Sequence, residues 1–394
     1  MVDDRIAVFV VFALNGAVYG SWAPRVPAIS EHLHATPGAL GLALLCLTIG
    51  MLISAALAGR LVERVGARAA IVTSTLLSAV LLPFLGFAGS VPWLAVVLFS
   101  VGVAVGLLDV AMNIGAVGVE RRTGRPLMPV FHAGFSFGGL VASAAAGLAA
   151  AQHWSPLRHF LVAGAVVVVA QLLVVHGLPR TVPRARQDRS ASARAAPIRR
   201  PVLWLLAAIA LCSAIAEGAS ADWSALLLVS TQQIGQGAAA LAYSGFSLAM
   251  ALTRLGGAWV QRRFGATRTL VVGAVLAGCG LVVAAVVPVA GLAFVGFGLA
   301  GVGLAASFPI ALSLAGASGK RADDSGGERE IAFVTAIAYS GFLVGPPMIG
   351  GVAQLTSLST SFVVVGLLAA LIAPTAVGAG RARHRELTAP TPVS

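Results

Sequence analysis

Asp109, Glu217 and Asp222 are carboxylates set inside long apolar stretches, where an acid costs about 2.5 to 3.5 kcal/mol on insertion scales. Each needs a partner, a water-lined cavity or work to do. The work open to a carboxyl in that setting is to load and release a proton, or to accept hydrogen bonds from a solute. Asp109 lies about ten residues from the end of its stretch, close to mid-bilayer at about 1.5 Å per residue, and Asn113 follows one turn on along the same face. Glu217 falls at or just past the middle of its own stretch, with Asp222 nearer one end. The competing readings are an Asp109 held by hydrogen bonds between helices and a neutral Glu217 filling a packing seam.

Other polar residues extend this set. His132 titrates in a range suited to a proton relay, with Ser136 one turn further in. Arg25 lies at a depth similar to Asp222, so an ion pair between them would close one side of the protein. Arg254 reads as a snorkelling cation, with an acid partner as the alternative. Tyr19, Tyr243 and Tyr339, together with the deep Trp22 and Trp223, offer an aromatic wall with hydroxyls on which a sugar ring or small amphiphile can stack. Trp93, Trp154, Trp204 and Trp259 sit at the ends of stretches and belong to an interfacial belt.

The elements that position these groups are membrane-spanning helices. The chain has 394 residues, 58% of them hydrophobic and 10% charged, with a mean hydropathy of +0.94, which excludes an ordinary water-soluble globule. A bilayer core of about 30 Å takes about 20 helical residues. Apolar segments of that size lie near 6–29, 37–59, 69–88, 92–117, 128–150, 157–178, 201–229, 238–261, 268–288, 291–316, 331–353 and 357–379. The fold class is therefore all-α, with twelve transmembrane helices, because lipid leaves backbone groups no water to bond and no alternating barrel pattern is present.

The formal net charge of +12 does not point to nucleic acid once the basic residues are placed on this topology. Nearly all fall on one side, leaving Arg25 and Arg158 on the other, so the positive-inside rule puts both termini in the cytoplasm of a cell with this protein in its inner membrane. The first stretch is too long for a signal-peptide core and reads as a retained helix. Cys46, Cys212 and Cys279 fall inside spans, with no disulfide or metal spacing, and read as buried apolar residues. Neither a metal nor a cofactor is expected, and no catalytic constellation points to an enzyme.

The Arg- and Pro-rich segment 179–200 divides the spans six and six. It reads as a cytoplasmic linker between an N-terminal half, 1–178, and a C-terminal half, 201–380, with a tail at 381–394. The halves echo one another. Asn15-Gly16-Ala17 with Trp22 matches Glu217-Gly218-Ala219 with Trp223, Phe135-Ser136 matches Tyr339-Ser340, and Arg64-Val65-Gly66 matches Arg263-Phe264-Gly265. Duplicated halves place a solute site near the midplane between them.

A short charged turn, Gly59-Arg60-Leu61-Val62-Glu63-Arg64-Val65-Gly66-Ala67-Arg68, joins the second and third spans. With twelve spans in two halves, it resembles the signature of the major facilitator superfamily: Gly59, Glu63, Arg64, Gly66 and Arg68 fit, and Ala67 departs. The stretches Asp109 to Asn113, Glu120, and Phe131 to Ser136 are similar to fucose-permease-like sugar and proton symporters of bacteria. The resemblance implies that the first, fourth, seventh and tenth spans line a central cavity, with Asp109 and Glu217 facing across it. It also implies a turn, Glu63, Arg64 and Arg68, that stabilises one state; Glu120, at the inner end of the fourth span, reads either as a partner of Arg64 or Arg68 or as a solvated charge beside Arg121 and Arg122. The expected function is proton-coupled symport of a small polar solute by alternating access, in a monomer. Asp109, Glu217 and His132 are the expected proton carriers; Asn15, Tyr19, Trp22, Asn113, Ser136, Asp222, Trp223, Tyr243 and Tyr339 the solute contacts; and Gly59, Glu63, Arg64, Gly66, Arg68, Glu120 and Arg25 the gate. Export of a drug or metabolite is the alternative.

Two further motifs are set aside. Gly296-Phe297-Gly298-Leu299-Ala300-Gly301 matches a dinucleotide-binding pattern but lies inside an apolar span, so close helix packing is expected, as for Gly102 and Gly106. Gly345-Pro346-Pro347 through Gly351 is expected to break the eleventh span and act as a hinge.

Overall fold

The computed structural model describes residues 3–124, 127–179, 200–319 and 327–388. Apart from Pro179 and Arg200, the expected linker lies outside these residues. So do Arg125, Lys320, Arg321, Asp323, Asp324 and the end of the tail.

Among the described residues every regular element is helical, and twelve helices are long and apolar enough to cross a membrane. We label them α1 (Asp4–His32), α2 (Pro37–Val65), α3 (Ala67–Gly86), α4 (Val91–Thr123), α5 (Met128–Ala151), α6 (Pro156–Val174), α7 (Pro201–Gln232), α8 (Gln236–Phe264), α9 (Ala266–Val286), α10 (Ala290–Gly319), α11 (Glu328–Leu355) and α12 (Leu358–Glu386). All twelve expected spans are present. Their starts follow capping chemistry: the side chains of Asp3, Thr36, Ser90 and Ser155 accept backbone N–H bonds at the heads of α1, α2, α4 and α6, and the last three are followed by a proline in the first turn. Gly66 and Gly265 hold φ of 85° and 80° between α2 and α3 and between α8 and α9. That backbone region is costly for other residues, and its repetition supports the duplicated turn.

The prolines act differently from the expectation. α11 runs unbroken from Glu328 to Leu355 with Pro346 and Pro347 inside it; membrane helices tolerate proline where neighbouring groups take up the freed carbonyls. The interruption falls instead in α1, where Ala23–Arg25 forms a 3₁₀ turn that contains Pro24 and precedes Pro27.

The helices form two compact units. The first gathers residues 3–179 with Ala221–Ser247 and Pro346–Leu358, and thus holds α1 to α6, the end of α7, the start of α8 and the end of α11. Its centre is a layer of aliphatic and aromatic side chains, Val8, Val11 and Phe12 of α1 with Ile71, Leu108, Met112 and Phe131. Glycine lets its backbones touch. An added Cβ at Gly16 would collide with the Phe135 carbonyl, and one at Gly102 with that of Leu47, so α1 closes on α5 and α2 on α4 without intervening side chains.

The first unit also draws helix ends together on the face away from Asp4. There Gly147 meets Gly237, Ser244 Oγ donates to Ser143 Oγ at 2.8 Å, and Gly350 meets the Pro37 carbonyl. Gln236 Nε2 donates to Glu31 Oε2 at 3.1 Å.

The second unit comprises residues 200–220, 248–319, 327–345 and 359–388. Here α9 and α10 cross through Gly280 and Gly296 and through Gly273 and Gly303, so the dinucleotide-like motif is helix packing. Arg200, at the head of α7, holds Glu330 of α11 at 3.4 Å and Glu386 of α12 at 2.6 Å, and also donates to the Ser318 carbonyl. Lipid-facing positions carry exposed leucine and valine throughout, Leu173 and Leu255 among them. Cys279 is exposed and Cys46 and Cys212 are half-buried, rather than buried, and all three are free.

Candidate functional site

Asn15, Tyr19 and Trp22 follow at four- and three-residue steps and so share one face of α1. Asn15 is 2% exposed; its amide donates to Met112 Sδ at 3.7 Å, and its carbonyl oxygen has no partner. The Tyr19 hydroxyl donates to Met51 Sδ at 3.7 Å, and its ring lies 6.0 Å from that of Trp22. Tyr19 also feels the charges of Asp222 and Asp109 and the phenol of Tyr243. Carboxylates from α4 and α7 and a phenol from α8 thus lie within electrostatic range of one hydroxyl inside the first unit. Neither Asp109 nor Asp222 forms an ion pair with a described residue. Asn113 turns back on its own helix and donates to the Asp109 carbonyl at 2.8 Å. Two carboxyls without counter-charges can each take a proton, or accept bonds from a hydroxylated or cationic solute.

The expected pairing of Asp222 with Arg25 is not formed. Arg25 is 2% exposed and donates instead to the backbone carbonyl of Trp154, while the charge of Asp222 acts on Tyr19.

Glu217 belongs to the second unit. Its Oε2 lies 3.8 Å from Arg254 Nη2, and Arg254 Nε donates to the Ala305 carbonyl at 3.2 Å. Arg254 therefore does not simply snorkel, because an acid lies within reach one helix away. Both side chains are about one-third exposed, so the pair is solvent-screened and weak. Tyr339, also in the second unit, is 43% exposed and lies 6.4 Å from Phe342. Trp22 and Trp223 are fully buried, each with an indole N–H that has no partner. His132 and Ser136 sit on α5, where the imidazole meets Phe12 edge-on at 5.2 Å and Ser136 Oγ donates to the His132 carbonyl.

In the charged turn, Arg68 carries the contacts. Its Nε donates to the Leu178 carbonyl at 3.0 Å and an Nη to that of His176 at 2.8 Å, so a cation closes the carbonyl end of the sixth span. Glu63 and Arg64 are exposed, and Gly59 faces open space. Glu120 accepts from Met128 N at 2.9 Å and so ties the end of α4 to the start of α5; the expected bond to Arg64 gives way to this nearer donor. Arg68→Ala removes three hydrogen bonds to carbonyls that have no other described donor. We expect transport to fall about tenfold with insertion unchanged, as read by initial solute uptake against surface expression; unchanged kinetics would remove Arg68 from the gate.

The sequence reading missed Met51 and Met112, whose sulfurs take the hydroxyl and amide of the α1 face, and the Ser143 and Ser244 pair. The second had a signal: Ser143 and Gly147 are one small-residue step of four apart, the spacing that lets membrane helices touch. Among the described residues no three His, Cys, Asp or Glu gather as metal ligands.

Comparison with known proteins agrees with this architecture. The chain is 35% identical over 367 residues to an uncharacterized transporter, y4wD, of Sinorhizobium fredii, covering 92% of this chain and 94% of that one. It is 31% identical over 375 residues to an uncharacterized MFS-type transporter of Yersinia pestis, with 95% of each covered. In fold it is similar to a bacterial homolog of the human lysosomal transporter Spinster, solved in an inward-facing and occupied conformation, with a TM-score of 0.78, 15% identity, and 99% and 98% of the two chains covered. The sequence profile of the Major Facilitator Superfamily matches residues 8–322. Twelve helices, a glycine-hinged charged turn and that match over most of its length make this chain a membrane transporter of the major facilitator superfamily.

Proposed function

We propose that this transporter moves a small polar solute together with protons, by alternating access, across the bacterial inner membrane with both termini in the cytoplasm. The observation that carries the reading is that Asp109 and Asp222 both act electrostatically on Tyr19, with neither acid in an ion pair among the described residues. A carboxyl without a counter-charge in an apolar setting favours its neutral form, so it takes a proton from one side and releases it when solute or water reaches it. Tyr19, Tyr243, Asn15 and Asn113 offer hydroxyl and amide groups for a hydroxylated solute such as a sugar, and Trp22 and Trp223 offer apolar faces. Glu217 is the second proton carrier: protonation would release Arg254 from it, a local change in the second unit that can accompany transport. Tyr339 adds a solute contact there, while His132 and Ser136 form a relay along α5.

The test is proton flux by the purified monomer in liposomes, screened against sugars, nucleosides, amino acids and cationic drugs. Solute-driven proton uptake in the same direction as the solute supports symport, flux of opposite sign assigns export of a drug or metabolite, and no flux with any solute overturns proton coupling.

A further inference from the structure

The first unit contains a buried cationic cluster that the solute site does not use. The 3₁₀ turn in α1 presents Arg25, which is 2% exposed. One of its terminal nitrogens donates to the Trp154 carbonyl, while Nε and the other terminal nitrogen are sealed from solvent with no partner. Beside it is His159, in the second turn of α6, 5% exposed, with Nδ1 also sealed and unpartnered; the Arg25 charge acts on this ring. A second guanidinium, that of Arg158, lies over the Trp154 indole, 4.1 Å from the ring centroid. Arg25 forms no ion pair with a described acid.

A guanidinium does not lose its proton at accessible pH, and a buried charge without a counter-charge is costly by several kcal/mol. Lowering that cost requires negative charge at Arg25 Nε and its free terminal nitrogen. No described acid forms an ion pair with Arg25, and the histidine its charge acts on supplies no negative charge. We propose that Arg25 and His159 hold a small monovalent anion of about chloride's size, with the forked N–H groups of Arg25 and Nδ1–H of His159 as donors. The site lies about 9 Å further along α1 than Tyr19, at about 1.5 Å per residue. It clamps the turn of α1 to the loop and first turns of α6, so an anion there would set how readily this end of the first unit opens.

The test is thermal unfolding of the purified full chain with sodium gluconate replaced stepwise by chloride at constant ionic strength, in parallel with bromide, nitrate and formate. We expect a saturable rise in unfolding temperature with chloride and bromide, at least a tenfold loss of apparent affinity in His159→Phe, and no response in Arg25→Gln. Arg158→Ala, which removes an exposed guanidinium stacked on the half-buried Trp154 ring, should respond like the parent. Should Arg25→Gln fail to fold, Arg25→Lys, which keeps the charge but loses the fork, is expected to weaken the chloride response at least tenfold. Stabilisation by formate but not by chloride would replace the inorganic ion with a carboxylate. Equal unfolding temperatures in every anion, or a response that survives both Arg25 variants, overturns the proposal.

Discussion

Asp109→Asn should reduce solute-driven proton flux at least about a hundredfold, the lower range of a lost proton-transfer group, while solute exchange without net proton movement continues. The substitution preserves shape and leaves no stranded charge, because Asp109 has no ion partner among the described residues. The backbone bond from Asn113 goes to the Asp109 carbonyl and is retained. What is lost is titration next to Tyr19. Asp222→Asn should behave the same way if the two carboxyls act on one proton path, and Glu217→Gln should have a smaller effect, since its screened pair with Arg254 is one-third exposed. The measurement is a pH-sensitive dye inside liposomes, paired with counterflow of labelled solute. Parental proton flux in Asp109→Asn would make this acid structural, and loss of counterflow as well would make it a solute ligand instead of a proton carrier.

The second large effect is steric. At the face away from Asp4, α2 and α11 approach so closely that a Cβ on Gly350 would strike the Pro37 carbonyl, and one on Gly41 would meet the Pro346 carbonyl. Gly350→Val forces these helix ends apart. Overpacking of this kind costs about 1 to 3 kcal/mol, enough to shift a closed-to-open balance roughly 5- to 150-fold. The contact joins the helices at one end only, so the rest of the first unit should still fold. We expect uptake to fall at least tenfold and a disulfide between Gly38→Cys and Gln354→Cys, at positions now linked by a 3.4 Å bond from Gly38 N, to form in the parent but not in the valine variant. Gly351→Val is the control, since nothing lies within 4 Å of a Cβ there. If Gly350→Val transports and crosslinks like the control, this contact has no part in closure.

The twelve helices were legible because a membrane span is a one-dimensional property: about 20 apolar residues between caps are sufficient. Gly66 and Gly265 were legible for the same reason, since their backbone geometry is set by the turn in which they sit. The partners of the acids were not. Asp222 was read by its depth along one helix and matched to Arg25. The structure does not form that pair and puts the charge of Asp222 within range of Tyr19, because rotation of a helix about its axis and its register against non-neighbouring helices leave little trace in hydropathy. Glu120 was likewise paired by charge with arginines that lie close in topology, while a backbone N–H eight residues away stood nearer. Pro346 and Pro347 show the opposite failure, where a local rule for soluble helices was overridden by α11 lying against the glycines of α2.

Arg200 bonds both Glu330 and Glu386 at the ends of α11 and α12, and this bears on how the protein is made. The seventh helix leaves the ribosome long before either acid exists, so its leading arginine enters the membrane surface without them. Glu330 arrives 130 residues later and Glu386 186 residues later. The second unit therefore cannot lock the head of α7 while the helices between are being made, and its assembly waits until the end of α12 has emerged.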